Sequence, residues 1–303
     1  MERRSVIIAV LAVLGIGLLI WGVNSTRKRE AVLQKEQPKA AVTSQADEKN
    51  TSPEIQDLSQ LDMLIEKGDE DAFKKGVESA RKLTEENKLI EARNIYTKLI
   101  QSFPAHPDIS GIEKKLWALN MKILFSPLKT DYSTIYEVKS GDTLTAIAKK
   151  FNTTVGLLKK SNGLNSNLIR IGRRLKVVTA KVSIIVDKSQ NILTLKINDE
   201  IIKVYPCSTG EFNITPLGKF KIENKLVNPV WFKTGAVVPP ESPENILGTR
   251  WMGFNSSGYG IHGTTEPESI GKQITAGCIR MYNKDVEELY DIVPVGTEVT
   301  IID

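Results

Sequence analysis

The sequence predicts a multidomain chain with an N-terminal transmembrane helix, a small α-helical hairpin region, a small α+β module and a mainly-β C-terminal domain. Three observations predict this order. An apolar run without charges stands near the N-terminus, apolar residues then recur with helical spacing, and the last third alternates apolar and polar residues between turns. At 303 residues with 41% hydrophobic and 25% charged content, the chain is long enough for two or three small domains.

The apolar run near the N-terminus is uncharged over residues 5–26. A transmembrane helix needs roughly 20 predominantly apolar residues, so this run is long enough to span a bilayer. A cleaved signal peptide is the alternative, but the run exceeds a typical apolar signal segment, and Val23-Asn24-Ser25 is a poor cleavage site. We therefore predict an uncleaved membrane anchor over residues 1–26 and a flexible polar linker over residues 27–53.

Helical spacing extends over residues 54–126, where apolar residues recur every three to four positions, as in residues 73–80 and 92–99. Asn87-Lys88 and residues 103–107 interrupt the pattern, so three or four antiparallel helices are predicted. The arrangement resembles a single tetratricopeptide-like hairpin, and an unrelated small bundle fits the pattern equally. Whether this helical region is a docking surface for a protein partner or a spacer stays open.

Residues 134–179 predict a strand–helix–helix–strand module. Residues 135–138 alternate like a short strand, and Gly141-Asp142-Thr143 supplies a turn and a helix cap. A second helix ends at Asn162-Gly163, and residues 175–178 return as a strand.

Tyr136, the Gly141-Asp142-Thr143-Leu144 turn and Asn162 of this stretch resemble a LysM module, and residues 134–179 are called the LysM module from here on. The resemblance implies binding to N-acetylglucosamine polymers, and hence to the glycan chains of peptidoglycan. The binding groove is expected between the first turn and the loop of residues 162–171. The residues that the resemblance assigns to glycan binding are Gly141, Asp142, Thr143, Asn162 and Ile169.

The net charge of +5 is concentrated in residues 134–181, which carry ten Lys and Arg against two Asp and Glu. This excess is either a solvated face or a feature that favours anionic wall polymers. No nucleic-acid partner is predicted, because no interleaved aromatic residues and no nucleic-acid motif accompany the charge. With two cysteines and no clustered histidines, neither a disulfide framework nor a metal site is predicted.

The candidate active site lies in residues 261–281, which hold one of the two histidines and one of the two cysteines. A thiol becomes a strong nucleophile when a nearby imidazole takes its proton. We therefore predict Cys278 as the nucleophile and His262 as its base. A buried structural cysteine with a core histidine is the alternative, but both residues stand beside glycines and Arg280 follows closely.

Backbone groups and a charge complete the predicted site. Gly277 lets the backbone approach a substrate carbonyl closely, and the amides of Gly277 and Cys278 are expected to form an oxyanion hole. Arg280 would lie on the same face as Cys278 in an extended segment, and its planar guanidinium suits a carboxylate. The predicted substrate is therefore an anionic peptide.

The motifs His262-Gly263-Thr264 and Gly277-Cys278-Ile279-Arg280-Met281 resemble the signature of the L,D-transpeptidase catalytic (YkuD-type) domain. Ala276 departs from that pattern, because many members carry a polar residue there. Further segments resemble the family in the expected order, namely residues 205–210, 215–220 and 250–254. The resemblance covers residues 182–303, called the C-terminal domain from here on.

The resemblance implies peptidoglycan transpeptidation, with no cofactor. Cys278 would attack the carbonyl after the third residue of a tetrapeptide stem, D-alanine would leave, and an amine would attack the thioester. His262 would act as general base and acid, with its other nitrogen oriented by a backbone carbonyl such as that of Gly263. Arg280 would hold a stem carboxylate. The other candidate substrate contacts are Thr275, Trp251 and Tyr259.

Other functions stay open beside the leading one. Transfer to water would make the protein an L,D-carboxypeptidase. A cysteine peptidoglycan endopeptidase is disfavoured, because in papain-like enzymes the cysteine precedes the histidine. A non-catalytic wall-binding protein would need only the LysM module and the helical region. In every case the cell-wall role places the bulk of the chain outside the membrane, and we expect wall binding and chemistry to lie on separate units.

The C-terminal domain is predicted to be rich in strands. Residues 182–186, 192–197 and 200–205 alternate apolar and polar residues around turns, and a sandwich-like sheet is predicted. One helix is expected after Asn283, which is a favourable residue at a helix N-terminus.

Two further stretches of the C-terminal domain carry predictions. Residues 227–248, rich in proline, are predicted to be a long irregular insert that acts as a flap over the substrate. Cys207 is predicted to be a small buried hydrophobe, with a disulfide to Cys278 as the alternative.

Overall fold

The structure, a computed structural model, describes residues 61–65, 69–233 and 235–303. The predicted membrane anchor and linker, residues 1–53, lie outside these described residues. Within the described part of the chain, no helix is long and apolar enough to cross a membrane. The described residues fall into two compact units, the first ending at Leu116 and the second running from Trp117 to Asp303.

The helical region contains the predicted helices. Their bounds are α1 Glu70–Glu85, α2 Leu89–Ser102 and α3 Ile109–Leu124. Asn87 turns the chain between α1 and α2 with a φ of 62°, a left-handed conformation that asparagine adopts more readily than most residues. Residues 103–107 separate α2 from α3, so both predicted breaks are confirmed.

The LysM module has the predicted order of elements. They are β1 Ser133–Glu137, α4 Leu144–Lys150, α5 Val155–Ser161 and β2 Arg174–Val178. The two strands pair antiparallel. Thr143 and Thr154 cap the two helices, because each hydroxyl accepts a hydrogen bond from the amide three residues later.

The C-terminal domain contains twelve strands and the helix α6, Asn283–Ile292, within the described residues. The strands are β3 Val182–Asp187, β4 Ile192–Ile197, β5 Glu200–Pro206, β6 Thr209–Gly210, β7 Gly218–Val227, β8 Trp231–Lys233, β9 Ala236–Val238, β10 Arg250–Phe254, β11 Gly260–His262, β12 Gln273–Thr275, β13 Ile279–Arg280 and β14 Glu298–Ile302. Eight of them form one sheet in the order β13-β11-β10-β7-β14-β3-β4-β5. The remaining four pair as β12 with β6 and β8 with β9.

Strand β7 joins two parts of the eight-stranded sheet. Its residues 218–221 pair with β14, whereas residues 222–227 pair with β10. The predicted sandwich-like sheet is thus a single eight-stranded sheet. Its longest strand, β7, pairs with β14 through its first residues and with β10 through its last. Helix α6 packs against β10 and β11, and buries Val286, Leu289 and Ile292 in the core.

Two local predictions in the C-terminal domain are wrong. Residues 227–248 are not irregular throughout, because β8 and β9 form an antiparallel hairpin within them. Asn283 does not cap α6, since Tyr282 occupies the cap position and makes no side-chain cap hydrogen bond. The Asn283 side chain binds the backbone of Thr264 instead.

The LysM module has a core of its own and also packs against the C-terminal domain. Leu157 of α5 belongs to the same buried cluster as the core residues of the C-terminal domain. Helix α5 packs on α6, where the Thr154 hydroxyl donates to the backbone oxygen of Asp291 and Lys160 pairs with the Asp291 carboxylate at 2.8 Å. A Cβ at Gly156 would lie 2.5 Å from that carboxylate, so glycine permits the close approach. The two units are thus separate segments of the sequence that contact each other in the structure, and the expected separation of wall binding from chemistry stays a prediction.

Candidate active site

The strand pairing brings the predicted nucleophile and base together. His262 ends β11, Cys278 immediately precedes β13, and these two strands pair in parallel with His262 opposite Arg280. Both side chains line one cavity of about 410 Å³. Residues 16 positions apart in the sequence thus lie at the same edge of the sheet.

The His262 ring is held in one orientation. Its side chain is buried, and Nδ1 lies 2.7 Å from the backbone oxygen of Gly263. Because a carbonyl oxygen only accepts hydrogen bonds, Nδ1 carries the hydrogen and Nε2 is left as the acceptor. The Trp251 ring stacks on the imidazole with 6.0 Å between ring centroids. The predicted hydrogen bond to Gly263 is present, and Trp251, a predicted substrate contact, also supports the base.

Asn283 fixes the backbone that follows His262. Its Oδ1 accepts hydrogen bonds from the amides of Thr264 at 2.9 Å and Thr249 at 3.3 Å, and its Nδ2 donates to the Thr264 oxygen at 2.8 Å. A Cβ at Gly263 would lie 2.1 Å from Asn283 Oδ1. The glycine therefore makes room for the asparagine, and the asparagine holds the segment whose carbonyl orients His262.

The turn that presents Cys278 depends on a glycine and a hydroxyl. Gly277 has a φ of 112°, a conformation that residues with a Cβ rarely adopt, and a Cβ there would lie 2.7 Å from the Tyr259 ring. The Thr275 hydroxyl donates to the Cys278 oxygen at 2.7 Å and accepts from the Gly277 amide at 3.2 Å. Tyr259 and Thr275, both predicted substrate contacts, thus hold the turn.

The two backbone amides predicted for the oxyanion hole differ in whether they already donate a hydrogen bond. The Gly277 N–H is already bonded to Thr275, whereas the Cys278 N–H donates to no acceptor within the described residues. The Cys278 thiol donates to the backbone oxygen of Gly258 at 3.3 Å. Of the two predicted donors, the structure leaves the amide of Cys278 unpaired.

Arg280 is partly engaged by the protein. It is buried, and its Nη1 donates to Glu266 at 2.7 Å and to the Ser269 hydroxyl at 2.9 Å. Its Nε is buried without a partner among the described residues. Arg280 also lines the cavity, with Nη1 of its guanidinium paired within the protein.

The cavity is apolar on the side of the insert between β7 and β10. Hairpin residues Trp231 and Phe232 contribute to its lining, and Phe232 is 76% exposed. The other apolar lining residues from this insert and its approach are Leu226, Val230, Ile246 and Leu247. The stretch predicted as a flap therefore borders the nucleophile.

Burial sets the charge state of the pair. It lowers the pKa of His262 to about 4, an effect that the Arg280 charge increases and the Gly263 hydrogen bond opposes. Burial also raises the pKa of Cys278 above its usual value, against a backbone hydrogen bond from Gly260 and the Arg280 charge. At neutral pH the resting pair is therefore a neutral imidazole beside a neutral thiol.

The second cysteine takes no part in the site. Cys207 is fully buried, and burial raises the pKa of its thiol far above the usual range. Both cysteines are free, so the alternative disulfide to Cys278 is not formed. The prediction of a small buried hydrophobe is confirmed.

The residues predicted to bind glycan mostly serve the fold of the LysM module. Asp142 accepts hydrogen bonds from a tyrosine hydroxyl and a lysine amide, and Thr143 caps α4. Asn162 makes three hydrogen bonds to backbone groups of α5 and β2. Gly141 turns the chain with a φ of 84°, and Ile169 packs, partly buried, against the module core. Glycan contact by these residues stays a prediction.

Sequence reasoning missed three residues that hold the site. Thr215 donates its hydroxyl to the Gly277 oxygen at 3.0 Å, and buried Lys188 donates to the Thr215 oxygen at 2.8 Å. Asn283 was assigned a local capping role. Only the threonine stood in a recognised segment, residues 215–220, and nothing in that segment indicates a contact 62 residues away.

Two family models match the chain. The model of the L,D-transpeptidase catalytic domain, YkuD, matches residues 181–301, and the model of the LysM domain matches residues 136–178. These matches agree with the two resemblances noted in the sequence.

Curated relatives carry the same name. The chain is 38% identical over 174 residues to the putative L,D-transpeptidase YkuD of Bacillus subtilis (strain 168), covering 55% of this chain and 97% of that protein. It is 41% identical over 126 residues to the putative L,D-transpeptidase YqjB of the same organism, covering 40% and 70% of the two proteins. A crystal structure of an L,D-transpeptidase from Mycobacterium tuberculosis H37Rv matches with a TM-score of 0.36 at 19% identity, covering 44% of this chain and 63% of that one.

Proposed function

The chain belongs to the L,D-transpeptidase family, and we propose that it crosslinks peptidoglycan through an acyl-enzyme on Cys278. One observation carries this proposal. The partly exposed Cys278 thiol and the His262 side chain line one cavity. The Nδ1–H of His262 donates to the Gly263 carbonyl, which leaves Nε2 as a hydrogen-bond acceptor. A thiol, an oriented base and a free amide are the groups that acyl transfer requires.

The first half-reaction forms a thioester. Nε2 of His262 takes the thiol proton as Cys278 Sγ attacks the carbonyl after the third residue of a tetrapeptide stem. The carbonyl oxygen becomes negative and is stabilised by the Cys278 N–H. The bond to the terminal D-alanine then breaks, and the imidazolium returns the proton to the leaving amine.

The second half-reaction transfers the acyl group. An acceptor amine attacks the thioester carbonyl, His262 removes the amine proton, and the thiol leaves with that proton restored. The products are a new amide bond and free enzyme. A diaminopimelate amine, a protein lysine and water are all chemically competent acceptors at such a site.

The resting pair is neutral, and charge develops only during the reaction. The Cys278 thiol donates a hydrogen bond to the Gly258 carbonyl, which requires that the sulfur carry its proton. No carboxylate among the described residues bonds to His262, and the neighbouring charge of Arg280 disfavours an imidazolium. His262 therefore acts as a general base rather than as the partner of a preformed thiolate.

Arg280 recognises a carboxylate of the stem. Its Nη1 is held by Glu266 and Ser269, which fixes the plane of the guanidinium at the cavity wall. The guanidinium can then donate to a substrate oxygen in the cavity, a charge-assisted bond of roughly 1.5–3 kcal/mol. Trp251 and Thr275 line the same cavity, and the Tyr259 ring lies against Gly277.

The remaining regions concern where the enzyme works. The LysM module holds the catalytic part on peptidoglycan glycan, on the cell-wall side of the membrane. The uncharged run of residues 5–26 anchors the chain, residues 54–126 offer a surface for a protein partner, and the hairpin β8–β9 closes over the bound stem. Retention of the full chain in the membrane fraction, with release on deletion of residues 1–26, is the outcome expected for the anchor.

Intact-protein mass spectrometry tests the catalytic proposal. A tetrapeptide stem should add its acyl part to the protein with release of D-alanine, and Cys278→Ala should abolish the adduct. Cys207→Ser should leave the adduct unchanged, because Cys207 is buried away from the cavity. Addition of an amine acceptor should discharge the adduct into a new peptide faster than water does.

The same experiment separates the alternatives. Discharge to water alone would make the protein an L,D-carboxypeptidase. Cleavage of an internal stem bond without release of D-alanine would indicate an endopeptidase. A reduced Cys278 that forms no adduct would leave a wall-binding protein without catalysis.

A further inference from the structure

The peptide bond between Gly277 and Cys278 carries the unpaired amide of the site. No cis peptide bond occurs among the described residues, so this bond is trans and its C=O and N–H point in opposite directions. Whatever fixes the carbonyl of Gly277 therefore also fixes the direction of the Cys278 N–H.

The carbonyl of Gly277 is fixed by Thr215. The Thr215 hydroxyl lies 3.0 Å from the Gly277 oxygen and 2.7 Å from the Gly210 nitrogen. The Gly210 N–H is a donor, so the hydroxyl accepts from it and must give its own hydrogen to Gly277. The hydroxyl thus has one orientation, and it pulls the carbonyl to the side away from the Cys278 N–H.

Thr215 is itself held rigidly. It is 1% exposed, and its backbone oxygen accepts a hydrogen bond from Lys188 Nζ at 2.8 Å. Lys188 is equally buried and also donates to the Asn213 oxygen at 3.1 Å. A buried cation bound to two carbonyls holds the loop that carries the hydroxyl, and the loop holds the Gly277–Cys278 peptide.

We infer that Thr215 is a positioning residue that aims the Cys278 amide at the oxyanion formed during acylation. The amide belongs to the nucleophile itself, so a carbonyl attacked by Cys278 Sγ places its oxygen close to that N–H. Loss of the Thr215 hydroxyl frees the peptide plane to rotate and lets the amide turn away. The inference rests on the proposed acyl transfer at Cys278.

Two reactions of one thiol distinguish this role from a general structural one. Acylation by p-nitrophenyl acetate passes through a tetrahedral oxyanion, forms a thioester and releases nitrophenolate. Alkylation by iodoacetamide displaces iodide at a saturated carbon and develops no oxyanion. Both need the same Cys278 and the same access, and only the first needs an aimed amide.

The variants are Thr215→Val, which keeps the shape and removes the hydroxyl, and Thr215→Ser, which keeps the hydroxyl. For Thr215→Val we expect acylation of Cys278 to slow by at least about tenfold, approaching the roughly 10²–10³-fold loss that removal of an oxyanion donor causes, while alkylation stays within about twofold of wild type. Thr215→Ser should retain both rates. Cys278→Ala gives the background from any other nucleophile.

Equal slowing of both reactions in Thr215→Val, or no slowing of either, would overturn the inference. Selective loss of acylation in Thr215→Ser would also overturn it, because the hydroxyl is still present. If near-ultraviolet circular dichroism shows that Thr215→Val does not fold, the same two reactions are measured in Lys188→Met, which removes the hydrogen bond to the Thr215 oxygen. A smaller but selective loss of acylation is expected in this variant. Equal slowing of both reactions, or no slowing of either, would contradict the inference. p-Nitrophenyl acetate acylates any competent thiol and does not depend on the identity of the natural substrate. If stem peptides alone failed to react, the proposed substrate would be wrong, but the ester and iodoacetamide would still decide the role of Thr215.

Discussion

The LysM module and the C-terminal domain use their motif residues in opposite ways. In the LysM module, Asp142, Thr143 and Asn162 direct their polar groups to partners within the module. In the C-terminal domain, the Cys278 amide, His262 Nε2 and Arg280 Nε have no partner among the described residues. The motifs of both domains are visible in the sequence. Of these motif residues, only those of the C-terminal domain leave polar groups without a protein partner.

The contrast between the two domains bears on which motif residues can be assigned to a function. A buried polar group without a partner is costly, roughly 1–3 kcal/mol, so an unpaired motif group beside a cavity is a candidate for substrate contact. A motif residue with all its hydrogen bonds made internally is accounted for by the fold alone. Leu168 and Ile171, in the loop of the same module, are exposed.

The largest effect is expected for the group with the most direct part in proton transfer. His262→Ala removes the base from the cavity, and acylation of Cys278 by a stem peptide should fall by about 10²–10⁴-fold in a stopped-flow or quenched-flow measurement. His106→Ala is the matched control, because this second histidine stacks on Phe73 in the helical region at 3.7 Å between ring centroids. Equal acylation rates in His262→Ala and wild type would remove His262 from the mechanism.

A smaller loss of activity is expected for Asn283, which fixes the backbone that orients the base His262. Asn283→Ala removes the three hydrogen bonds that fix Thr249 and Thr264, so the carbonyl of Gly263 no longer orients His262 firmly. We expect kcat to fall roughly tenfold with little change in KM, since the cavity wall is untouched.

Asn283→Asp sharpens that test. It keeps the acceptor for the two amides and loses the donor to the Thr264 oxygen, so its kcat should lie between those of wild type and Asn283→Ala. A change confined to KM in both variants would mean that Asn283 acts on substrate binding rather than on the base.

The smallest effect on catalysis is expected for Asn162 of the LysM module, which the LysM resemblance assigns to glycan binding. Asn162→Ala leaves the amide and the oxygen of Lys176 unpaired, so the free energy of unfolding should drop by roughly 1–3 kcal/mol. Binding of the folded variant to insoluble sacculi should match wild type. Asn165→Ala, a change at an exposed position in the same loop, is the control. Reduced sacculus binding with unchanged stability would instead make Asn162 a glycan contact.

Much of the fold and site follows from local patterns in the sequence. The helices, the LysM elements, strands β3 to β5 and the pair Cys278 and His262 depend on residue spacing, turn residues and short motifs, and these were predicted. The carbonyl of Gly263 was predicted as well, because it neighbours the histidine in the chain.

The missed features all depend on contacts between distant residues. Asn283 satisfies the local rule for a helix cap, yet a tertiary contact with Thr264 uses its side chain. Leu157 shows helical spacing, which does not reveal whether it packs into the core of its own module or, as found, that of the C-terminal domain. The hairpin β8–β9 consists of three-residue strands among prolines, too short for alternation to be visible.

The site rests as a neutral thiol beside a neutral base, and charge appears only as the substrate reacts. Ultraviolet absorbance of the thiolate, taken as the difference between wild type and Cys278→Ala across a pH titration, measures this directly. Because burial raises the pKa of Cys278, we expect no thiolate signal through neutral pH and its appearance only above the usual cysteine value of 9.0. A thiolate signal already present at neutral pH, and lost only on acidification, would instead show a preformed ion pair between Cys278 and His262.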